Sequence, residues 1–324
     1  MRCCAPIASA ATSTKTTASK TEAVNQLKAK KRAISGWVVL NKPYDMTSTQ
    51  AVGKVRWLFS AAKAGHAGTL DPLATGILPI ALGEATKAVP QVQDGTKIYR
   101  FAIGWGRATS TDDAEGAVVA TSDVRPEGSA LQALLPRFTG TIMQRPPAFS
   151  AIKVDGERAY DLARAGETVE LAERPIDIDA IELVEHGAEQ SVLEVTCGKG
   201  TYVRSLARDI ALALGTVGHV TSLHRAAVGP FNDANSVTIE ELEAVEGAGR
   251  DALIAPIALG FADLPELRLD AGQAGAVSHG NAVLLTGAGA PLALDECWAS
   301  FKGKVLATGS VEYGQFKPRR VFNL

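Results

Sequence analysis

The part of this chain whose residue types could do chemistry is a short stretch around one carboxylate. Residues 65–76 read GHAGTLDPLATG, in which glycines and one proline surround Asp71. Pro72 fixes its own φ and disfavours a helical conformation at the residue before it, so we expect Asp71 to lie in a rigid loop. A carboxylate held in such a loop is a candidate nucleophile.

Two other interpretations fit an isolated stretch of this composition. An Asp followed by Pro commonly opens a structural turn, and glycine-rich loops also bind phosphates. A phosphate-binding P-loop ends in Gly-Lys followed by Ser or Thr, and residues 65–83 contain no such ending. The composition therefore disfavours a nucleotide-binding loop and leaves a structural turn as the alternative to a nucleophile.

The whole stretch resembles the signature of the TruB family, the bacterial tRNA pseudouridine synthases that modify uridine 55 in the T-loop. The match is long and nearly without gaps. The resemblance implies that Asp71 is the nucleophile and that His66 takes part in rearranging the T-loop and the flipped base. It also implies an α+β pseudouridine-synthase fold, in which helices flank a mixed, mainly antiparallel sheet and a small C-terminal β-barrel, a PUA-like domain, follows.

A second part of the site is predicted in residues 96–103, whose side chains alternate as is typical of a β-strand. Tyr99 lies on the same face of this strand as Phe101 and Ile103. The segment resembles the Lys-x-Tyr element of the family. The resemblance implies that Tyr99 stacks on the target base and is a candidate for the proton-handling step.

A third part follows a predicted strand at residues 191–197, where a glycine turn at 198–201 leads into a helix that begins near Tyr202. A strand, a glycine turn and a helix N-terminus together make a natural anion-binding arrangement. The segment resembles the Lys-Gly-Thr-Tyr-x-Arg element of the family. The resemblance implies that Arg204 pairs with Asp71 and that Tyr202 lines the base pocket.

Residues 218–225 resemble a family segment whose leucine contacts the substrate base, and that role falls on Leu223. The family usually carries Arg at the next position, where this chain has His224. One RNA contact of the family is therefore not carried over to this chain, whereas the predicted chemistry does not depend on it.

The residues before the central loop are predicted to support it. Residues 36–40 form a short apolar run typical of a buried strand, and Thr47 with Gln50 fits a capping box at the start of a helix. This part resembles the first motif of the family, which packs beside the catalytic loop. We therefore expect structural support from it, with an additional phosphate contact from Lys42.

Residues 144–156 resemble the third motif of the family, and a predicted helix over about residues 157–165 follows and stops at Gly166. In the family this region forms a flexible thumb that closes on the T-stem and loop. Three basic residues here are candidate phosphate contacts, although solubilising surface charge explains each of them equally well: Arg145, Lys153 and Arg158.

The charge of the chain is close to neutral but unevenly distributed. Its 324 residues carry a net charge of −2, which argues mildly against a nucleic-acid partner because phosphate binding needs a basic surface. Positions 28 to 63 hold eight basic residues and one acidic residue, whereas positions 233 to 270 hold nine acidic and two basic residues. That asymmetry permits a basic RNA-facing surface on a nearly neutral protein.

The length predicts more than one domain. We expect a disordered extension over residues 1–32, a pseudouridine synthase catalytic domain over 33–262 with a thumb-like insertion at about 145–175, and a PUA-like RNA-binding domain over 263–324. Short strands and glycine turns after residue 264 are typical of a small β-barrel. A floppy arm, a mistaken upstream start codon and an organelle transit peptide remain open interpretations of the extension.

Four cysteines show neither a disulfide framework nor metal-ligand spacing, and no apolar run has the length of a membrane span. These features predict a reducing, cytoplasmic location and no zinc site in the protein. Pseudouridine formation breaks the N1 glycosidic bond and rejoins the uracil through C5 without redox change, so we expect no cofactor, metal or nucleotide.

The resemblance implies a monomeric enzyme that binds the T-stem and loop of tRNA and needs no guide RNA. Two alternatives remain beside it. One is a subunit of a guide-RNA-dependent pseudouridine synthase, which shares the central motif. The other is a tRNA-folding chaperone without catalysis.

Overall fold

The computed structural model describes residues 31–150, 152–154, 156–164 and 171–324. The helices are α1 (Ser48–Leu58), α2 (Val89–Asp94), α3 (Gly128–Leu134), α4 (Ala159–Arg164), α5 (Val203–Ala213), α6 (Ile239–Ala244), α7 (Ala248–Asp251) and α8 (Ala271–Ser278). The strands are β1 (Gly36–Lys42), β2 (Ala64–His66), β3 (Thr75–Leu82), β4 (Lys97–Trp105), β5 (Arg107–Thr109), β6 (Val118–Thr121), β7 (Gly140–Gln144), β8 (Lys153–Val154), β9 (Glu157–Arg158), β10 (Arg174–His186), β11 (Gln190–Cys197), β12 (Gly218–Val228), β13 (Phe231–Asn232), β14 (Glu266–Arg268), β15 (Val283–Leu284), β16 (Ala293–Phe301), β17 (Lys304–Glu312) and β18 (Gln315–Val321).

The main sheet has the strand order β1-β3-β12-β4-β11-β10-β7, with β2 paired to β3 and β13 paired to β12. Its pairings are antiparallel except that between β3 and β12, which is parallel. The predicted mixed, mainly antiparallel sheet is therefore confirmed. At its centre, the register of β4 and β12 places Tyr99 opposite Arg225 and Phe101 opposite Leu223.

Both faces of the main sheet are covered at β1 and β3, whose residues are buried on both sides. In β1, Val38 belongs to a core that it shares with α1 and α5, whereas Trp37 and Val39 belong to a second core on the opposite face. Successive strand residues point to opposite faces, so a doubly covered strand must be apolar throughout. Leu70 and Val203, which flank the candidate site, belong to the first core.

Helix α1 begins as predicted. The hydroxyl of Thr47 accepts a hydrogen bond from the N–H of Gln50 at 3.1 Å, and the Gln50 side chain accepts one from the N–H of Thr47 at 2.8 Å. This reciprocal pair confirms the capping box. The buried face of the helix, which includes Ala51, Val55 and Leu58, packs beside β2 and β3 and so borders the central loop.

Helix α5 also begins where it was predicted. Tyr202 is its N-cap residue and has an extended backbone. Buried side chains of the helix, among them Val203, Leu206 and Ile210, pack into the first core against β4 and β12. The helix ends just before Gly215, which has a φ of +73°, a conformation that favours glycine.

The last part of the chain forms a separate sheet in the order β14-β16-β17-β18-β15. The predicted short strands and glycine turns are confirmed here in an open, barrel-like sheet. Helix α8 was not predicted, because its small residues and two glycines show no apolar periodicity. The signal that could have revealed it is the capping box of Asp270 and Gln273, in which the carboxylate accepts from the Gln273 N–H at 2.8 Å.

The C-terminal sheet shares part of its core with the main sheet. Trp298 and Phe322 pack in the same cluster as Trp37 and Phe261. The ring centroid of Phe261 lies 5.9 Å from that of Trp298 and 5.8 Å from that of Phe322. Residues 31 to 324 accordingly form one compact unit.

Two predicted segments fall partly outside the described residues: residues 1–30 of the extension, and residues 165–170, where the predicted thumb helix ends. Arg32 is ordered, and its Nη1 lies 3.0 Å from Oδ1 of Asp251. The helix predicted over residues 157–165 begins later than expected: Glu157 and Arg158 form β9, and α4 begins at Ala159. Within the described ranges, the helices are all too short or too polar to cross a membrane.

Candidate active site

Asp71 lies in the loop between β2 and β3, as predicted. The backbone on both sides of it is held in place. The hydroxyl of Ser48 donates to the carbonyl of Leu70 at 2.9 Å and accepts from its N–H at 2.8 Å. The N–H of Asp45 donates to the carbonyl of Pro72 at 2.9 Å. Because the flanking backbone groups have partners, the framework sets the position of the carboxylate.

Lys42 supports the same loop. Its side chain is buried and its ammonium donates to the carbonyls of Pro43, Met46 and Pro72 at 2.9, 2.7 and 3.2 Å. Burial lowers the pKa of Lys42 to about 8, against the opposing effect of the nearby Asp71 carboxylate. The predicted structural support is confirmed. The predicted phosphate contact is wrong, because the side chain has no exposed surface.

Arg225 holds the other side of the loop and was missed in the sequence. It is one of the largest fully buried side chains of the described residues. Its Nε donates to the carbonyl of Ile77 at 2.7 Å, and its two Nη atoms donate to the carbonyls of Thr69 at 3.2 Å and Gly68 at 3.0 Å. The guanidinium thus joins the beginning of the loop to the strand that follows it.

Arg204 joins two carboxylates. Its Nε lies 3.0 Å from Oδ2 of Asp71, and its Nη1 lies 3.4 Å from Oδ2 of Asp113. The guanidinium also donates to the carbonyls of Thr111 and Phe149, each at 3.0 Å. The side chains of Arg204 and Asp113 are 6% and 3% exposed, whereas that of Asp71 is 37% exposed. Asp71 is therefore the open carboxylate of the network.

Asp113 lies in a polar turn between β5 and β6 and was not predicted as a site residue. Its carboxylate accepts hydrogen bonds from the hydroxyl of Thr111 and, at 3.0 Å, from the N–H of Glu115. Nothing local distinguishes this buried carboxylate from its neighbour Asp112, which pairs instead with Arg208 at 3.0 Å. Asp113 is distinguished by its ion pair with Arg204, which lies in α5, far along the chain. No residue spacing in the sequence could therefore have identified Asp113.

Tyr99 lies in β4 and packs against the first core. Burial raises the pKa of Tyr99, and the positive charge and hydrogen bond of Arg225 oppose that effect. The negative charge of Asp71 also acts on the phenol and raises its pKa further. The predicted nucleophile and the predicted proton-handling group are therefore electrostatic neighbours.

Tyr202 is held by the two strands that flank the predicted thumb. The side-chain amide of Gln144, at the end of β7, donates to the Tyr202 carbonyl at 3.1 Å and accepts from its N–H at 2.9 Å. The guanidinium of Arg174, at the start of β10, lies 5.1 Å from the ring centroid and donates to the carbonyl of Gly200 at 2.6 Å. Neither Gln144 nor Arg174 was singled out from the sequence, although the two are cross-strand partners.

His66 and Leu223 are the remaining predicted site residues. His66 ends β2 immediately before the loop. Burial lowers its pKa, the charge of Arg225 adds to the effect, and no described group hydrogen-bonds to its buried Nδ1. Leu223 is 7% exposed and packs in the first core opposite Phe101.

The position where this chain departs from the family makes internal contacts. Nδ1 of His224 lies 2.9 Å from the hydroxyl of Thr75, and its Nε2 lies 3.2 Å from both carboxylate oxygens of Asp233. The imidazole therefore links the start of β3 to the segment after β13.

The predicted thumb contacts are only partly described. Arg145 is 60% exposed and lies 3.5 Å from Glu173, so its guanidinium is open to a ligand. The side chains of Lys153 and Arg158 lie outside the described part of the structure. Within that part, no group of three or more His, Cys, Asp or Glu residues is arranged to hold a metal ion.

Comparison with known proteins shows to which family this chain belongs. Residues 56–203 match the family model described as TruB family pseudouridylate synthase, N-terminal domain, and residues 204–258 match that of the tRNA pseudouridylate synthase B C-terminal domain. A tRNA pseudouridine synthase B from Mesorhizobium japonicum is 51% identical over 318 residues, which cover 91% of this chain and 98% of that protein. The chain belongs to the TruB family of pseudouridylate synthases.

A second TruB relative, tRNA pseudouridine synthase B from Brucella ovis, is 54% identical over 316 residues and 91% of this chain, and 98% of its own length is covered. Among solved structures, a Cbf5-Nop10-Gar1 complex contains a chain that is 26% identical, with a TM-score of 0.69 over 89% of this chain and 85% of that chain. An H/ACA RNP bound to a substrate RNA containing 2′-deoxyuridine has the same TM-score at 23% identity, with the same coverage of both chains. The predicted pseudouridine-synthase fold is confirmed by the similarity to these structures.

Proposed function

We propose that this TruB-family chain is a tRNA pseudouridine-55 synthase that isomerises uridine 55 of the T-loop with Asp71 as nucleophile. The observation that carries the proposal is the contact of 3.0 Å between Arg204 and Asp71. An ion pair and a held backbone fix the carboxylate, yet 37% of its side chain is exposed. A rigid carboxylate that is open on one side suits attack on a bound sugar.

The reaction changes the bound uridine in three ways. The N1–C1′ bond breaks, a C5–C1′ bond forms, and the proton on C5 leaves while N1 gains one, so atoms balance without a cofactor. Asp71 either attacks C1′ or assists the departure of uracil, as a carboxylate does in a retaining glycosidase. Tyr99 lies close enough to Asp71 to feel its charge, and we assign it the C5 proton.

The uridine must leave the T-loop stack to reach Asp71, because a stacked base shields its sugar from the loop. Tyr99 and Tyr202 supply aromatic faces on which an extruded base stacks. We assign His66 to the rearrangement of the T-loop, and Leu223 to contact with the flipped base.

The proposal extends to the rest of the molecule. Residues 33–262 are the catalytic domain, with a thumb over about 145–175, and residues 263–324 are the PUA-like RNA-binding domain. The T-stem and loop of tRNA are the partner of a monomer that acts in the cytoplasm.

The relatives favour this function over the two alternatives. The proteins at 51% and 54% identity are named tRNA pseudouridine synthase B, whereas the chain from the complex named with Nop10 and Gar1 is 26% identical. The network around Asp71 argues against a chaperone without catalysis, since RNA folding alone requires no buried arginine between two carboxylates.

Release of tritium from C5 of uridine tests the proposal. T-loop RNA labelled at C5 is incubated with the enzyme and no guide RNA, and we expect release of one tritium per RNA. Release only after addition of a guide RNA and partner proteins would point to the guide-dependent alternative. Binding of the RNA without any release would point to the chaperone.

A further inference from the structure

Arg225 is a buried cation at the centre of the site. Its side chain lies among the largest fully buried ones and is 1% exposed. Burial of a charge is costly unless polar groups compensate for it, and here the carbonyl oxygens of Gly68, Thr69 and Ile77 do so. These carbonyls belong to the loop of Asp71 and to the strand that follows it. The charge is thus stabilised by the segment that it holds in place.

The backbone of Arg225 touches the same segment. Gly76 pairs with Arg225 between the parallel strands β3 and β12 and has a φ of +100°. A Cβ at Gly76 would lie 2.3 Å from the carbonyl oxygen of Arg225, so only glycine allows this approach. Arg225 therefore contacts the loop at its start with its side chain and at its end with its backbone.

Arg225 also faces Tyr99. The two residues are direct cross-strand partners in β12 and β4, and such partners have side chains on the same face of a sheet. A guanidinium carries five N–H groups, of which three bind the loop carbonyls. The remaining N–H groups are available to the phenol of Tyr99. Burial raises the pKa of this phenol, and the positive charge of Arg225 opposes that effect.

We propose that Arg225 is a positioning residue that couples the loop of Asp71 to Tyr99, so that one guanidinium fixes the nucleophile relative to the proton-handling phenol. This inference rests on the proposed function. A planar fork of N–H groups suits this task better than an ammonium, because it reaches divergent acceptors at fixed angles. Displacement of either catalytic group by about 1 Å would cost about 100-fold in rate.

The matched control is Arg250. This residue is also an arginine that holds backbone carbonyls: its Nε donates to Leu242 at 2.8 Å and its Nη1 to Leu58 at 2.6 Å. It joins α6 to the end of α1, whereas Arg225 holds the loop of Asp71. Loss of the Arg250 guanidinium removes two hydrogen bonds to carbonyls and loss of the Arg225 guanidinium removes three. Only loss of Arg225 is expected to disturb the catalytic groups.

The experiment compares Arg225→Met with Arg250→Met by Tm, tRNA affinity and single-turnover rate at saturating tRNA. We expect both variants to lose Tm, with Arg225→Met also about 100-fold slower and its tRNA affinity within a few-fold of wild type. Arg250→Met should keep its rate. In protein with ¹³C-labelled tyrosine, the Cζ resonance of Tyr99, assigned with Tyr99→Phe, should move in Arg225→Met and not in Arg250→Met.

A normal rate in Arg225→Met, an equal loss of rate in both variants, or an unmoved Tyr99 resonance would overturn the inference. If Arg225→Met does not fold, Arg225→Lys is compared with Arg250→Lys. There we expect the rate to fall about tenfold or more for Arg225→Lys only, because an ammonium cannot reproduce the fork. Absence of tritium release by the wild-type enzyme would instead count against the proposed function, whatever the variants do.

Discussion

The guanidinium of Arg204 lies between an open carboxylate and a buried one: Nε is 3.0 Å from Asp71 and Nη1 is 3.4 Å from Asp113. Asp113 is almost fully buried, so its charge depends on Arg204 for compensation. Asp71 is exposed enough to meet a substrate as well. One cation therefore serves both as a structural counter-ion and as the partner of the proposed nucleophile.

Replacement of Asp71 by Asn should abolish turnover and leave tRNA affinity within a few-fold, because the amide has nearly the same shape and is a far poorer nucleophile. Single-turnover rate and equilibrium binding measure the two effects separately. Asp251→Asn, which removes the exposed partner of Arg32, is the control for loss of a carboxylate and should remain active. Parallel loss of binding and activity in Asp71→Asn would make Asp71 a structural turn residue.

Replacement of Arg204 by Ala should lower the single-turnover rate by roughly two orders of magnitude or more, at about 1.4 kcal/mol per tenfold. It should also destabilise the fold by about 3–5 kcal/mol, because it leaves the buried Asp113 charge unpaired. Addition of Asp113→Asn should recover most of the stability and none of the rate. Denaturant unfolding and single-turnover kinetics on the single and double variants test this separation, and recovery of the rate in the double variant would contradict it.

The rate of the chemical step should fall as the pH rises through about 8. Burial lowers the pKa of Lys42 to that value, so the ammonium is charged below it and neutral above it. A neutral amine has two N–H groups for the carbonyls of Pro43, Met46 and Pro72, and an unpaired buried carbonyl costs about 1–3 kcal/mol. The Pro72 carbonyl keeps its hydrogen bond from the Asp45 N–H, so loss of the Lys42 contact removes one of its two anchors and loosens the backbone next to Asp71.

A profile of single-turnover rate against pH, recorded for wild type and Lys42→Met, measures this effect. The decrease near pH 8 should be absent in the variant, which is slower at every pH. Burial also lowers the pKa of Lys97 to about 8. If Lys97→Met rather than Lys42→Met removes the decrease, the titrating group lies at the start of β4 instead.

Two of the exposed basic residues of β18, Lys317 and Arg319, should contribute to tRNA affinity without affecting chemistry. Removal of a side chain that binds one phosphate should reduce the slope of log affinity against log salt by about 1. We expect the Lys317→Ala, Arg319→Ala double variant to bind tRNA more weakly and to keep its single-turnover rate at saturating tRNA. The control is Lys304→Ala, because Lys304 is exposed at the opposite hairpin of the same sheet. If tRNA affinity falls equally in the control and in the double variant, β18 is not part of the proposed RNA surface.

Deletion of the C-terminal sheet is a poorer test of the same idea. Trp298 and Phe322 pack against Trp37 and Phe261, and removal of residues 264–324 would expose the last two. Loss of activity in such a truncation would report on unfolding as much as on RNA binding. Surface substitutions in β18 avoid this ambiguity, because they leave the shared core intact.

Local signals in the sequence were sufficient for the parts of the site that depend on local structure. Pro72 predicts the loop at Asp71, Thr47 with Gln50 predicts the start of α1, and the alternation around Tyr99 predicts β4. Each of these features is determined within a few residues by backbone sterics, capping or burial. The pairing of Arg204 with Asp71 came from the resemblance, and the geometry then placed the two together.

The residues that the sequence did not reveal are those whose roles depend on distant partners. Asp113 lies in a polar turn and Arg225 in a strand of mixed polarity, and neither position differs locally from a solvated charge. Burial of their charges is decided by the packing of α5 and of the loop against β12. The same holds for Arg174, whose contact with Tyr202 depends on β10 lying beside β7.

The two sheets share one aromatic core, which contains Trp37, Phe261, Trp298 and Phe322. Two RNA-binding modules on a flexible tether would each search for their own portion of a ligand. Under the proposed function, this shared core sets the separation between the loop of Asp71 and the basic strand β18, so the two RNA contacts would have a fixed span. An RNA whose stem is one base pair too long or too short would reach either the loop of Asp71 or β18, but not both. The length of the stem would then select substrates, in addition to the base that is modified.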